Sequence, residues 1–258
     1  AVSHELQGMR LFIDFDGVMC YAKVFVNGQF VGEHKGGYVP FSVEITQYVE
    51  YGEAESNLLV VYVDSTERAD IPPFGGEVDY LCYGGIYRDV TLRAVPHCHI
   101  ESMYARPLSV LTAEKSLQVD IAIAHGERTN KSIDVSVALF DSRNRKRAEL
   151  SRSLVVSVPS LTLSMLMDEL TGLKLWTLEK PELYRVEVSL LEDGFVCDAV
   201  STRIGFRVAE FTPEGFFLNG KLLKLRGLNR HQSFPYVGYA MPERVQRKDA
   251  DILKYELG

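Results

Sequence analysis

No apolar run in the 258 residues approaches the ~18 consecutive positions that a membrane-spanning helix needs. Excess positive charge is also missing: 28 Lys and Arg stand against 35 Asp and Glu, a net charge of −7. A mildly acidic surface offers little attraction to phosphate backbones or anionic lipid, so neither nucleic acid nor a membrane is expected as a partner. Cysteine is sparse. Cys20, Cys82, Cys98 and Cys197 lie far apart, with no C-x-x-C and no matching histidine spacing, so no metal site is expected and four free, mostly buried thiols are. The first twenty residues, with Glu5, Asp14 and Asp16 among them, do not read as a secretory signal. A soluble protein is expected, and the compartment, cytoplasmic or periplasmic, stays open. No helical pattern of convincing length precedes residue 240, which excludes a complete barrel of alternating strands and helices over residues 1–207.

The sequence does hold apolar residues (46%) in period-2 alternation, enough for a buried core. Length alone suggests roughly 1.7 domains at ~150 residues each. Leu11–Phe15 and Ala22–Val26 read as strands, and Asn27-Gly28 supplies a type I′ hairpin into Phe30-Val31. Leu58–Val63 and Ile86–Leu92 follow, then a break at Pro96. A second set comprises Leu117–Ala124, Ile133–Phe140, Leu154–Val158 and Tyr184–Leu191, with polar turns between them. Such spacing suggests antiparallel sandwiches. Beyond Phe206 the pattern changes: Phe216-Phe217-Leu218, Asn219-Gly220 and Leu222–Leu225 form a hairpin. Pro242-Glu243 then opens a helical segment, with Gly258 as its candidate C-cap.

Four strings carry more than local structure. Ala22-Lys23-Val24-Phe25-Val26-Asn27-Gly28, followed by His34-Lys35-Gly36-Gly37-Tyr38 and Pro40-Phe41, resembles the sugar-binding domain of family 2 glycoside hydrolases. Gly84-Gly85-Ile86-Tyr87-Arg88-Asp89-Val90 resembles the closing strand of that domain. Leu175-Trp176-Thr177, Pro181-Glu182-Leu183-Tyr184 and Gly205-Phe206-Arg207 are similar to the end of the family's immunoglobulin-like domain. Phe217-Leu218-Asn219-Gly220-Lys221, then Leu225-Arg226-Gly227-Leu228-Asn229-Arg230-His231, looks like the opening of its (β/α)8 barrel. Each string alone is weak; the four in this order span nearly the whole chain. Asn229-Arg230-His231-Gln232, with Pro235, Gly238 and Ala240 downstream, is most similar to β-galactosidases.

The resemblance implies a mainly β fold. A jelly-roll-like sugar-binding sandwich over residues 1–96, its N-terminal strands missing, precedes an immunoglobulin-like sandwich over 97–207. The first βα unit of an incomplete (β/α)8 barrel occupies 208–258, with Leu222–Arg226 as its first strand. It implies an O-glycosyl hydrolase that cleaves terminal β-galactosides with retention, using two carboxyl groups about 5–5.5 Å apart. In this family both are Glu residues on later barrel strands, past Gly258, so no catalytic residue is expected in this chain and the chain alone is expected to be inactive. Glu243 and Glu256 read as surface charges of the helix.

Substrate placement is then what remains. Asn229, Arg230 and His231 would stand at the rim after the first barrel strand, where loops line the active site. The resemblance implies that His231 contacts sugar hydroxyls. The Arg230 fork could do the same or hold a carboxylate within the barrel. Asp79 sits where family members supply an acidic residue that reaches the sugar or a nearby cation, although Asp79-Tyr80-Leu81-Cys82 departs from the usual wording. No cofactor is expected in this chain; the full-length enzyme could hold a divalent or monovalent cation. Arg88 and Asp89 read as a structural ion pair. Gly36-Gly37 reads as a turn with Tyr38 packed beneath it, Trp176 as core, and Arg143–Arg147 as a solvated hairpin tip. The expected ligand is a β-galactoside or another glycan, and a homo-oligomer is expected because missing strands would expose sheet edges. Two other readings stand beside this one. The first is a β-glucuronidase or β-mannosidase of the same family. The second, of another class, is a non-catalytic carbohydrate-binding protein made of two sandwiches.

Overall fold

The structure, a computed structural model, describes residues 1–74, 76, 78, 80–126 and 130–257. The candidate C-cap Gly258 lies outside the described residues. The chain divides into two compact units. One joins Ala1–Ala94 to Leu228–Gly258, and the other is the contiguous stretch Val95–Gly227. No helix among the described residues is long and apolar enough to cross a membrane.

The first unit holds β1 (Arg10–Phe15), β2 (Val18–Met19), β3 (Tyr21–Val26), β4 (Gln29–Lys35), β5 (Phe41–Glu44), β6 (Leu59–Asp64), β7 (Gly85–Ile86) and β8 (Val90–Val95). They pair as β5-β1-β8, β4-β3-β6 and β2-β7. Alternation sets the faces. Leu11, Ile13 and Phe15 of β1 pack in one core with Ala22, Val24 and Val26 of β3. Each such Leu, Ile, Phe or Val side chain contributes about 1.5–3 kcal/mol when fully buried. Outward, Arg10 pairs with Glu44 at 2.7 Å and Arg93 with Asp14 at 2.6 Å. The β3–β4 turn is the expected type I′, with Asn27 at φ +51° and Gly28 at φ +78°. The Asn27 side chain also ties the turn down: Nδ2 donates to Tyr48 O and Oδ1 accepts from Leu58 N, both at 2.8 Å.

The second unit holds β9 (Cys98–Leu108), β10 (Lys115–His125), β11 (Lys131–Phe140), β12 (Lys146–Val156), β13 (Ser160–Leu170), β14 (Tyr184–Glu192) and β15 (Phe195–Ile204). Sheet β13-β10-β9 and sheet β12-β11-β14-β15 share one core, led by Leu117, Val119 and Ile121 of β10 with Val135, Val137 and Leu139 of β11. Tyr184 closes one end. Its ring meets Phe206 edge-on at 5.4 Å, and its hydroxyl accepts the Lys174 N–H at 2.8 Å. Trp176 lies half-buried against Gly205, where an added Cβ would come within 2.8 Å of the indole side chain. The Arg207 guanidinium sits 4.5 Å from the Trp176 ring.

A small meander, β16 (Ala209–Thr212), β17 (Gly215–Leu218) and β18 (Lys221–Leu222), ends this unit. Asn219 (φ +51°) and Gly220 (φ +73°) make its second type I′ turn. Asn219 repeats the device of Asn27: Oδ1 accepts from Val208 N at 3.0 Å and Nδ2 donates to Trp176 O at 2.9 Å. The strand expected over 222–226 stops at Leu222. Leu223 N still reaches Phe216 O at 2.8 Å, but 224–231 run without strand pairing. Among the described residues no strand lies alongside 224–226 to complete a ladder. Beyond it, α1 (Glu243–Asp251) begins after Pro242 and passes into a wider turn over Ile252–Glu256.

Candidate functional site

Within the first unit a polar cleft of about 350 Å³ is lined by Asp16, Tyr38, Tyr80, Tyr87, Arg88, Arg230, His231, Gln232 and Tyr239. This is the lower end of the ~300–1,000 Å³ range of small-molecule sites. Three stretches of sequence build it. Residues 84–90 run beside 16–19: Val18 pairs with Ile86, Tyr87 N reaches Gly17 O at 3.3 Å, and Asp16 N reaches Asp89 O at 3.0 Å. Gly17 permits the approach, since a Cβ there would fall 2.8 Å from Arg88 Cγ and 2.9 Å from the Tyr87 ring. Tyr87 then donates its hydroxyl to Gly37 O, which fixes the 36–38 turn beside the cleft.

The third stretch is 228–241. Phe234 and Gly238 close a tight loop through two main-chain hydrogen bonds of 3.2 and 3.0 Å. Gly238 has φ +54°, and any Cβ on it would meet the Tyr83 ring at 2.8 Å. Tyr239, next in the chain, is buried with ring centroids 4.9 Å from Tyr83 and 6.0 Å from Tyr87. The loop thereby brings His231 to Tyr80, at 5.5 Å between centroids. Arg230 is committed within its own segment: Nε and Nη2 hold Asp249 Oδ2 at 2.9 and 2.5 Å, and Nη2 holds Gln246 Oε1 at 2.8 Å. The fork therefore fastens α1 to the segment that carries His231. Asn229 is exposed and does not line the cleft. Asp79 lies outside the described residues.

Three expectations change here. Arg88 does not pair with Asp89. Arg88 sits at a bend between β7 and β8, and its guanidinium lies 5.4 Å from the Tyr87 ring, with no carboxylate in ion-pair range among the described residues. Tyr38 is not packed beneath its turn but is 49% exposed, at the cleft. The Arg143–Arg147 run is likewise more than a solvated tip. It wraps the buried Asp141, whose Oδ1 accepts from the amides of Arg143 and Arg145 at 3.0 Å each, while Arg145 Nη2 reaches Oδ2 at 2.8 Å.

The electrostatics of the cleft favour neutral hydroxyl groups. Burial, followed by hydrogen bonding with Tyr80, pushes the Tyr38 hydroxyl above the ordinary phenol range. Burial also raises Tyr87 and Tyr239. All three remain protonated at neutral pH, each able to donate and to accept one hydrogen bond. Among the described residues Asp16 is the only carboxylate of the lining, and no group of three or more His, Cys, Asp or Glu side chains is set to hold a metal ion. Sequence reasoning did not select Tyr80, Tyr83, Tyr87 or Tyr239. The clustering of three tyrosines within 80–87 was the available signal.

Comparison with known proteins gives the class. Residues 2–96 match the sugar binding domain of glycosyl hydrolases family 2, and residues 98–207 match a further domain of glycosyl hydrolases family 2. The chain belongs to glycosyl hydrolase family 2. It is 42% identical over 256 residues to a β-galactosidase of Thermoanaerobacterium thermosulfurigenes, covering 99% of this chain and 36% of that one. To a β-galactosidase of Thermoanaerobacter pseudethanolicus it is 43% identical over 259 residues, covering 100% of this chain and 34% of the relative. A crystal structure of a Bacteroides uniformis β-glucuronidase superposes with a TM-score of 0.91 at 29% identity, over 98% of this chain and 31% of that one. The chain spans about a third of the length of the curated relatives it matches.

Proposed function

We propose that this chain supplies the substrate-positioning wall of a retaining glycoside hydrolase acting on terminal β-galactosides, and that it contributes neither member of the catalytic carboxyl pair. The observation that carries the reading is the placement of His231 beside Tyr80 in a cleft of tyrosine hydroxyls. Sugars present several weak donor–acceptor hydroxyls, and phenol hydroxyls that each donate and accept one hydrogen bond match that chemistry. Retaining hydrolysis needs two carboxyl groups on either side of the scissile bond, and the described cleft lining holds one carboxylate, Asp16. In the parent enzyme the pair would form and hydrolyse a covalent glycosyl-enzyme intermediate, while His231, Tyr38 and Tyr80 fix the ring. Asp79 is assigned to the same wall on the family resemblance, Asn229, outside the lining, to the loop that carries His231, and Arg230 to positioning His231.

A β-glucuronide is the second reading. One observation favours it: the Arg88 guanidinium lines the cleft with no carboxylate partner among the described residues.

NMR of the purified chain tests both. Methyl β-galactoside at millimolar concentration should shift the His231 ring signals, His231→Ala and Tyr80→Ala should abolish the binding, and methyl β-glucuronide should bind more weakly. Stronger binding of the glucuronide, lost in Arg88→Gln, would favour the second reading, and no response to either sugar would refute both. A chromogenic β-galactoside should give no turnover above background with this chain; turnover would overturn the assignment of the carboxyl pair elsewhere.

A further inference from the structure

The second unit carries a feature that the galactoside cleft leaves unused. Around the β11–β12 turn lies a separate cleft of about 370 Å³ lined by Arg143, Arg145, Arg147, Lys174 and Lys180, against only two carboxylates, Asp141 and Glu182. A chain of net charge −7 thus gathers five cations about one concavity.

The concentration is built into the fold. Asp141 is buried and fully engaged, by two amides, by Arg145 and, at 3.8 Å, by Arg147. Gly172 makes room for Arg147, whose Nη2 lies 3.2 Å from where a Cβ would sit. Lys174 is fixed at its backbone by the Tyr184 hydroxyl at 2.8 Å. Glu182 is held by Ser142 at 3.3 Å. Arg143, Lys174 and Lys180 have no ion-pair partner among the described residues and are exposed.

A second observation points the same way. A neighbouring cleft of about 440 Å³ shares Asp141, Ser142, Glu182 and Tyr184 with the first and adds Arg185 and Arg203. These two arginines are direct cross-strand partners on β14 and β15. Like charges placed opposite one another are destabilising. Arg185 is offset by Glu187 and by Asn144 Oδ1 at 2.7 Å and lies over the Phe140 ring at 4.1 Å. Arg203 has no such partner among the described residues. An external anion is the group that would complete this arrangement.

We infer that this double cleft is a binding site for oxyanion groups, sulfate or carboxylate, on a glycan, distinct from the galactoside cleft. Arginine forks recognise such planar or tetrahedral oxyanions by paired hydrogen bonds. The choice of a glycan rests on membership of glycosyl hydrolase family 2. Nucleic acid fits less well, because single-strand binding uses exposed aromatic platforms, whereas Tyr184 is buried and Phe140 is covered by Arg185. The site would anchor a charged stretch of polymer while a neutral terminal residue is handled elsewhere.

The test uses the whole chain and affinity electrophoresis in gels containing dextran sulfate, polygalacturonate, neutral dextran or single-stranded DNA. Dextran sulfate or polygalacturonate should retard the chain, the better of the two naming the group, and neutral dextran should not. The triple variant Arg143→Gln, Lys174→Gln, Lys180→Gln should bind at least about tenfold more weakly and lower the log–log salt slope by about 2, at ~0.7 per neutralised charge on a flexible polyanion. A control that removes as many cations elsewhere, Arg106→Gln, Arg152→Gln, Lys224→Gln, should bind as the unaltered chain does. The inference is overturned if neither acidic glycan retards the chain, if the control loses as much as the triple variant, or if DNA binds as tightly as the glycans. The methyl β-galactoside response at His231 should be the same in both triple variants, so the two sites fail independently.

Discussion

Asn219→Ala should release the meander that follows the second sandwich. The Asn219 side chain makes two hydrogen bonds to the main chain, from Val208 N at 3.0 Å and to Trp176 O at 2.9 Å, and its own backbone sits at φ +51°. Each hydrogen bond is worth about 1 kcal/mol net. Alanine in the left-handed region adds about 1 kcal/mol. The sum, about 3 kcal/mol, corresponds to roughly 150-fold faster exchange of the Val208 amide if opening of the meander exposes it. Native-state hydrogen exchange read by mass spectrometry over 206–222 measures this directly. Asn219→Gly, which tolerates the backbone angle, should recover about 1 kcal/mol of the loss. Asn219→Asp keeps the acceptor for Val208 and should protect that amide better than alanine does. Exchange at Val208 within threefold of the unaltered chain in Asn219→Ala would refute the assignment of this side chain as the clip.

Two further outcomes are expected. Burial alone would raise the Asp141 carboxyl, but hydrogen bonds from Arg145 and from the amides of 145 and 143 outweigh it and bring it down to about 2. Because this folded value lies below the unfolded ~3.9, the stabilisation is complete above about pH 4 and is lost as pH falls towards 2. Asp141→Asn should flatten that acid limb, seen as the urea midpoint against pH, while leaving the slope above pH 6 unchanged. Gly205→Ala would drive a methyl group into Trp176 at 2.8 Å, so it should cost about 1–3 kcal/mol. Trp176 is the only tryptophan in the sequence, so its emission should shift in the folded variant; an unshifted spectrum with an unchanged midpoint would contradict the contact.

What the sequence disclosed follows from the range over which its signals act. Asn27-Gly28 and Asn219-Gly220 gave their turns because φ > 0 at two consecutive positions is a local demand. Alternation located β1, β3, β10, β11 and β14, whose inner faces are solidly apolar. Strands β12 and β15 were legible only in part or not at all. Both lie at the edges of their sheet; in β12, Leu150 and Arg152 are exposed although they share the parity of the inward Ala148, Leu154 and Val156, which blurs the period. The side-chain clips of Asn27 and Asn219 join residues far apart in sequence, which no periodicity reports. The tyrosine cleft was hidden for the same reason: Tyr83 and Tyr239 meet only through the fold. His231 stood out by resemblance to a family motif, whereas its neighbour Tyr80 carried no motif that marked it.

The first unit is discontinuous: 1–94 and 228–257 fold together, with the second unit spliced between them. During synthesis, residues 95–227 emerge as an uninterrupted stretch and can consolidate while the first sandwich still lacks Tyr239 and His231. The cleft is therefore completed only after the second unit has emerged, and its closure brings together groups more than a hundred positions apart. A folded insert shortens the effective loop to be closed, because only the separation of its own two ends matters then. Damage to the second sandwich would consequently be felt as slow or incomplete assembly of a site it does not line. Dissection at residue 96, where the sequence breaks, would separate Tyr80 and Tyr83 from the segment that completes them.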